Sequence, residues 1–222
     1  MTLYHFNFSF IWKHFDKLAG GWVVSLELAG FAVLFGMALG LGLAVAYNAS
    51  GRAVRSSIVA YVELFRNVPL LLLVYVAFYG LPSLGLRGLD AWTTFALTLT
   101  VYASAQFVEV FRAGLDSVPL GLSEAGRALG LRHWQNFAFV ILPLTMRASL
   151  PAIGNLVVSF FKETSIASAI AVPELTYGAQ WINLNSFRVL EVYAVVTPMY
   201  LATSYGLTLL LLRTERALRR PG

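Results

Sequence analysis

Cysteine is absent from all 222 residues, which excludes disulfides, thiolate metal sites and thiol nucleophiles together. Histidine is nearly as scarce: His5, His14 and His133 are scattered, with none at i, i+4 to another, so no metal motif forms among them. No Walker A loop, G-x-S-x-G elbow or pair of catalytic carboxylates with a supporting histidine occurs. The signs of a cofactor-dependent or intramembrane enzyme are therefore missing. Charge is also in short supply. Asp, Glu, Lys and Arg make up 12% of the chain against 58% hydrophobic residues, too little polar surface for a soluble domain of this length.

The apolar residues gather into runs. Segments 23–47, 58–80, 91–111, 148–172 and 191–212 each approach or exceed the roughly 20 apolar residues that cross about 30 Å of hydrocarbon. The sequence thus predicts an all-α, polytopic membrane protein of five transmembrane helices in one domain, 1–222. An odd number of spans puts the termini on opposite faces. Arg52, Arg55, Arg66, Arg112, Arg127, Arg132, Arg147, Arg213, Arg216, Arg219 and Arg220 fall on or near one side, eleven of the sixteen Lys and Arg residues. Lys13, Lys17, Arg87 and Arg188 fall on the other, and Lys162 lies within a span. The positive-inside rule then places the C-terminus in the cytoplasm and the N-terminus outside. The net charge of +5 reports topology and does not point to nucleic acid. Residues 1–21 mix aromatics with Lys13, Asp16 and Lys17, unlike a cleavable signal peptide, so the first span is expected to stay.

Polar residues inside the spans carry the functional information. Gly36 and Gly40 of span 1 have GxxxG spacing, with Gly30 and Gly42 nearby, and predict close helix packing, whereas Glu27 sits near the outer end within reach of headgroup water. In span 2, Glu63, Arg66 and Asn67 share a face, and Pro69 frees the carbonyl of Phe65. That combination predicts either an inward kink beside a polar patch or a local ion pair at the cytoplasmic interface. Thr94, Thr98, Tyr102, Gln106 and Glu109 form a stripe along span 3 that either lines a path or cements helices. Asn155, Ser159 and Glu163 recur every four residues in span 4, with Lys162 turned about 100° away. Residues 171–189 read as an external loop.

Three inward polar surfaces offering both signs of charge suit a zwitterion such as an amino acid. Glu163, with Asn155 and Ser159, is the candidate for the ammonium, and Lys162 or Arg66 for the carboxylate; Asn67, Gln106 and Glu109 are further candidates. The alternative for Glu163 is an ion pair that fixes span 4 and touches no ligand, and Lys162 fits that structural role better. Between spans 3 and 4, residues 116–135 predict a short amphipathic helix, because Val118, Leu122, Ala125 and Leu129 recur at helical spacing while Glu124 and Arg127 project from another face.

Glu124-Ala125, Gly130, Val140 and Leu142-Pro143 match the spacing E-A-A, three residues, G, nine residues, I-x-L-P. This resembles the cytoplasmic loop signature of permease subunits in bacterial ATP-binding cassette (ABC) importers, departing at Gly126, where the family often has Ala. "YVELFRNVPLL" (61–71), "EVFRAGLDSVPLG" (109–121) and "KETSIASAIAVPEL" (162–175) resemble the polar amino acid branch. The resemblance spans about residues 20–213. It implies a five-helix permease of the bacterial inner membrane. Such a permease pairs with a second permease chain, like or unlike, with two cytoplasmic ATPase subunits and with an extracytoplasmic solute-binding protein. It makes 116–135 the coupling segment, with Glu124, Ala125, Arg127, Leu129 and Gly130 its candidate contacts. It also adds Thr164 and Ser165 to the substrate candidates, since relatives read K-D-T-S where this chain has Lys162-Glu163-Thr164-Ser165. The form R-N-V-P-L-L resembles glutamate and aspartate permeases most. The rival reading is a secondary transporter or channel that needs no ATPase.

Overall fold

The computed structural model describes residues 5–85 and 88–219, with side chains to residue 216. Arg87 and Arg220, and the side chain of Arg219, lie outside the described residues. Among the described residues every regular element is helical. In chain order these are α1 (Ser9–Lys13), α2 (Phe15–Ala49), α3 (Arg52–Asn67), α4 (Leu70–Tyr75), α5 (Leu81–Ser83), α6 (Ala91–Asp116), α7 (Leu120–Ala128), α8 (His133–Asn136), α9 (Leu142–Glu163), α10 (Leu175–Ser186) and α11 (Val189–Arg219). Four described stretches are long and apolar enough to cross a membrane: Phe15–Ala49, Ala91–Asp116, His133–Ile170 and Val189–Arg216. A fifth is present if the bent pair Arg52–Asn67 and Leu70–Ser83 is taken as one span.

α2 sets the frame. Its buried face is almost entirely small, with Gly21, Ser25, Ala29, Ala32, Gly36, Gly40 and Ala44 following one another by three or four residues. Lipid supplies no hydrophobic drive between helices, so close backbone approach must supply the packing energy. α2 and α6 form the most extensive helix pair. A Cβ on Gly36 would lie 2.9 Å from Ala103 Cβ, and one on Gly40 would lie 2.6 Å from Phe107 Cβ. The predicted GxxxG contact is therefore present, whereas Gly30 and Gly42 face open space and take no part in it. α6 is the central helix: 67% of its most apolar stretch is buried, against 6% for α11, which leans on α9. α6 and α9 approach closely at Gly114, where a Cβ would meet Ser149 Oγ, and Phe107 stacks edge-on against Phe160.

The second run breaks instead of kinking. Val68 is forced extended ahead of Pro69 (ψ 131°), Pro69 is itself extended (ψ 133°), and the helix restarts at Leu70 after a turn of 102°. α3 is amphipathic, burying Ile58 and Val62 against Val108 and leaving Arg52, Arg55, Glu63 and Arg66 exposed. Other boundaries also differ from the hydropathy reading. Span 4 extends over His133–Ile170, so Pro151 lies inside a continuous helix and not in its first turn. π-helical turns at Val76–Gly80 and Phe137–Ile141 precede Pro82 and Pro143, where the missing N–H would otherwise interrupt an α-helix. The expected external loop contains α10, which packs with α1, α2 and α11 in a separate apolar core around Leu18, Leu175, Ile182 and Val192.

Gly40→Ala drives a methyl into Phe107 and is expected to destabilise the solubilised protein by about 1–3 kcal/mol, with Gly42→Ala within about 0.5 kcal/mol of wild type. Thermal unfolding in detergent measures both, and equal effects would contradict the seam.

Candidate functional site

Two regions carry the chemistry-bearing residues, one among α3, α6 and α9 and the other on α7.

In the first, the sequence sets Glu163 at the last turn of α9. There the helix tightens to a 3-10 form over Thr164–Ile170. Its hydroxyls explain the change: Thr164 Oγ1 donates to Phe161 O (2.7 Å), Ser165 Oγ to Lys162 O (2.8 Å) and Ser168 Oγ to Ser165 O (2.8 Å), each closing a three-residue loop. This junction packs against α4 and α6. Glu163 is half-buried; Ser159 Oγ donates to its Oε1 at 3.4 Å, and Oε2 is buried without a hydrogen-bond partner. Tyr102 on α6 lies in electrostatic reach of Glu163 and Arg66 and bonds to Gln106, which places three of the candidates around one side chain. Arg66 is 3.6 Å from Glu109 Oε2, and Arg112 donates to Glu109 Oε1 at 2.6 Å. Arg112 also lies over the Tyr47 ring, 3.9 Å from its centroid. Two guanidinium groups thus share one carboxylate, so the Arg66–Glu109–Arg112 group carries a net positive charge. A depression of about 450 Å³ between α6 and α9 has Glu109 on its wall.

Not every candidate joins this cluster. Asn155 is exposed and lines a groove against Thr208, Leu211 and Glu215 of α11, because successive fourfold steps on a 3.6-residue helix drift around its axis. Lys162 is exposed on the next face, although near enough to Glu163 for an electrostatic interaction. Thr164 is fully buried with its hydroxyl bonded to its own helix, and Ser165 is engaged likewise. Asn67 donates to the carbonyl (2.8 Å) and the carboxylate (2.7 Å) of Glu63.

On α7, Glu124, Ala125, Arg127 and Leu129 are all exposed, Leu129 to 83%. Gly130 ends the helix in the left-handed region (φ 83°), its N–H donating to Arg127 O (2.9 Å) while Leu131 N–H reaches back to Gly126 O (3.2 Å). This is a Schellman cap, and it gives the glycine of the motif a backbone reason.

Sequence reasoning missed Glu174. It is fully buried, caps α10 by accepting from Thr176 N–H (2.9 Å) and Tyr177 N–H (2.7 Å), and accepts from Tyr200 Oη at 3.2 Å, with Ser25 Oγ 3.3 Å away. Gly21 lets α2 approach it: a Cβ there would stand 2.5 Å from Glu174 O. Pro173-Glu174 ahead of an apolar segment was a helix-start signal that the loop reading passed over. Burial raises the Glu174 carboxyl from its ordinary 4.5 to about 7, against the lowering effect of its hydrogen bonds.

Residues 36–220 match the family described as binding-protein-dependent transport system inner membrane component. The chain belongs to this family. The permease is 32% identical over 206 residues to the probable glutamine ABC transporter permease protein of Bacillus subtilis (strain 168), covering 91% of this chain and 94% of that one. It is also 32% identical over 216 residues to the glutamine transport system permease protein of Escherichia coli (strain K12), covering 96% and 98%. Among solved structures it is similar to an amino acid ABC transporter with histidines, with a TM-score of 0.88, 29% identity, and coverage of 96% of this chain and 100% of that one. It is thus the permease subunit of an ABC amino acid importer, a multi-pass membrane component and not an enzyme, in a family that works with an ATPase and a binding protein. The glutamate and aspartate reading of R-N-V-P-L-L finds no support in these relatives. In the permease those residues form the break at Pro69 and its flanking polar contacts, so the stretch reports local structure.

The Glu174 carboxyl gives the permease a pH signature. The folded state holds a proton that the unfolded chain releases above about 4.5, so its stabilisation is complete below that pH and is lost as pH rises through about 7. Unfolding temperatures of the solubilised permease at about pH 5 and pH 8 should differ in that direction, and Glu174→Gln should flatten the difference. An unchanged slope in the variant would reject the assignment.

Proposed function

We propose that this permease passes a polar amino acid between α3, α6 and α9, with Glu163 taking the ammonium and Arg66, beside Arg112, taking the carboxylate. The observation that carries the reading is the buried, unpartnered Oε2 of Glu163 in a neighbourhood shared with Tyr102, Gln106 and Arg66. A buried carboxylate oxygen lacking a donor is costly, and an ammonium satisfies it with a charge-assisted hydrogen bond. Ser159 orients the carboxylate, and Glu109 pairs with both arginines. Lys162 and Asn155, facing elsewhere, serve packing between chains or helices.

The polar, uncharged class of amino acid fits this arrangement best, since one acid and a shared excess of positive charge match a zwitterion without a further side-chain charge. The glutamine named for the relatives belongs to that class. In this reading the chain is one permease domain over 1–222, with 116–135 as its coupling segment. Glu124, Ala125, Arg127, Leu129 and Gly130 seat α7 in a cytoplasmic ATPase dimer, and a second permease chain, the same or paralogous, completes the membrane unit. The solute-binding protein delivers to the α10 end, with the N-terminus extracytoplasmic and the C-terminus cytoplasmic, as the arginine asymmetry requires. Membership in a binding-protein-dependent family favours this over a secondary transporter or channel.

The test is uptake by the assembled complex in proteoliposomes. Glu163→Gln should lower uptake at least about tenfold with assembly intact, and Lys162→Ala by less than about twofold. Normal kinetics in Glu163→Gln would reject the ammonium site. Glu124→Arg should lose ATPase copurification or uptake, and full retention of both would reject the coupling role.

A further inference from the structure

Gly126 is the one buried residue of α7. Glycine is the weakest helix former after proline, so the burial of one in the last turn of a nine-residue helix calls for a reason. Asn136 supplies one. This side chain, 2% exposed, donates through Nδ2 to Ser123 O (3.1 Å) and Ser123 Oγ (3.0 Å). Those bonds turn Oδ1 onto Gly126, where it is buried without a hydrogen-bond partner. A Cβ on residue 126 would collide with Oδ1 and lie 3.1 Å from Asn136 Cγ, so alanine at 126 and this asparagine position exclude each other. Asn136 ends α8 and leads without interruption through the Phe137–Ile141 turn into α9, the helix that carries Glu163.

We propose that Gly126 and Asn136 form a lock that fixes the angle between α7 and the α8–α9 rod, making Asn136 a positioning residue for coupling. It rests on the reading of α7 as the segment seated in the ATPase. The lock acts through shape and two directed hydrogen bonds to Ser123. Because Gly126 is the only α7 residue buried against the rest of the chain, a change there alters the direction of the whole helix while leaving its exposed contacts intact.

The absence of native cysteine makes the geometry measurable. Spin labels on cysteines placed at the exposed positions Gly121 and His133 report the spread of α7–α8 distances in the assembled complex, and uptake per ATP hydrolysed reports coupling. Gly126→Ala should broaden the distances and lower uptake per ATP by about tenfold through overpacking. Asn136→Ala should lower it by about threefold through loss of the Ser123 bonds, and Asn136→Ser replaces it if it fails to reach the membrane. The double variant should be no worse than Asn136→Ala, since the new methyl then has room. Losses that multiply to about thirtyfold in the double variant, or undisturbed distances in Gly126→Ala, would overturn the lock. Broadened distances with normal uptake per ATP would instead overturn the coupling role of α7, and the positioning role of Asn136 with it.

Discussion

The small-residue face of α2 is the constraint on which the other elements depend. In a bilayer an apolar side chain gains nothing by leaving lipid for protein, so helices associate where backbones come close and dispersion contacts accumulate. α2 offers that approach along its whole length, to α6 at Gly36 and Gly40 and to the start of α10 at Gly21. Gly178 reciprocates from α10, seating it against the Lys17 carbonyl. α6, fixed against this face, also receives α9 at Gly114 and α3 at Tyr61, whose hydroxyl donates to Val101 O at 2.9 Å. The polar cluster of Arg66, Tyr102, Gln106, Glu109 and Glu163 then follows from α2 and α9 held at glycine distance from α6, with α3 held beside it at Tyr61.

Glycine spacing and the polar stripe of α6 were legible in sequence because each depends on local helical period, whereas the E-A-A spacing was legible through a family resemblance. The break at Pro69 was legible as a disturbance, but its extent was not. It takes two extended residues in succession, Val68 and Pro69, to turn 102°, and α3 then packs against Val108 while Leu70 and Val74 enter the core. The common face of Asn155 and Glu163 was an over-extension of a fourfold rule across two steps. α10 was invisible to hydropathy because Gly178, Gln180 and Asn183 dilute its apolar pattern, and its helicity comes from tertiary burial and the Glu174 cap.

Charges inside the cluster show why composition alone misleads about cost. Glu109 and Arg66 form an ion pair. They are held with Arg112, whose guanidinium also covers the Tyr47 ring, so the group presents a modest field. Glu163 stands apart, with one hydrogen bond from Ser159 and Lys162 in electrostatic reach, and its Oε2 without a hydrogen bond. That contrast between a paired carboxylate and one with an oxygen left without a hydrogen bond, and not the number of charges, separates Glu163 from Glu109.

α2 has 35 residues, a rod of about 52 Å, well beyond the roughly 30 Å of hydrocarbon it crosses. Its first turns carry α1 and α10, and its last turns face α3 and the end of α6. Treated as a rigid lever pivoting near its middle, α2 converts a tilt of about 10° into opposed displacements of about 4–5 Å at its two ends, nearly the rise of one helical turn. A push delivered at one membrane face therefore arrives at the other with reversed direction and undiminished amplitude, with no intermediate joint to absorb it.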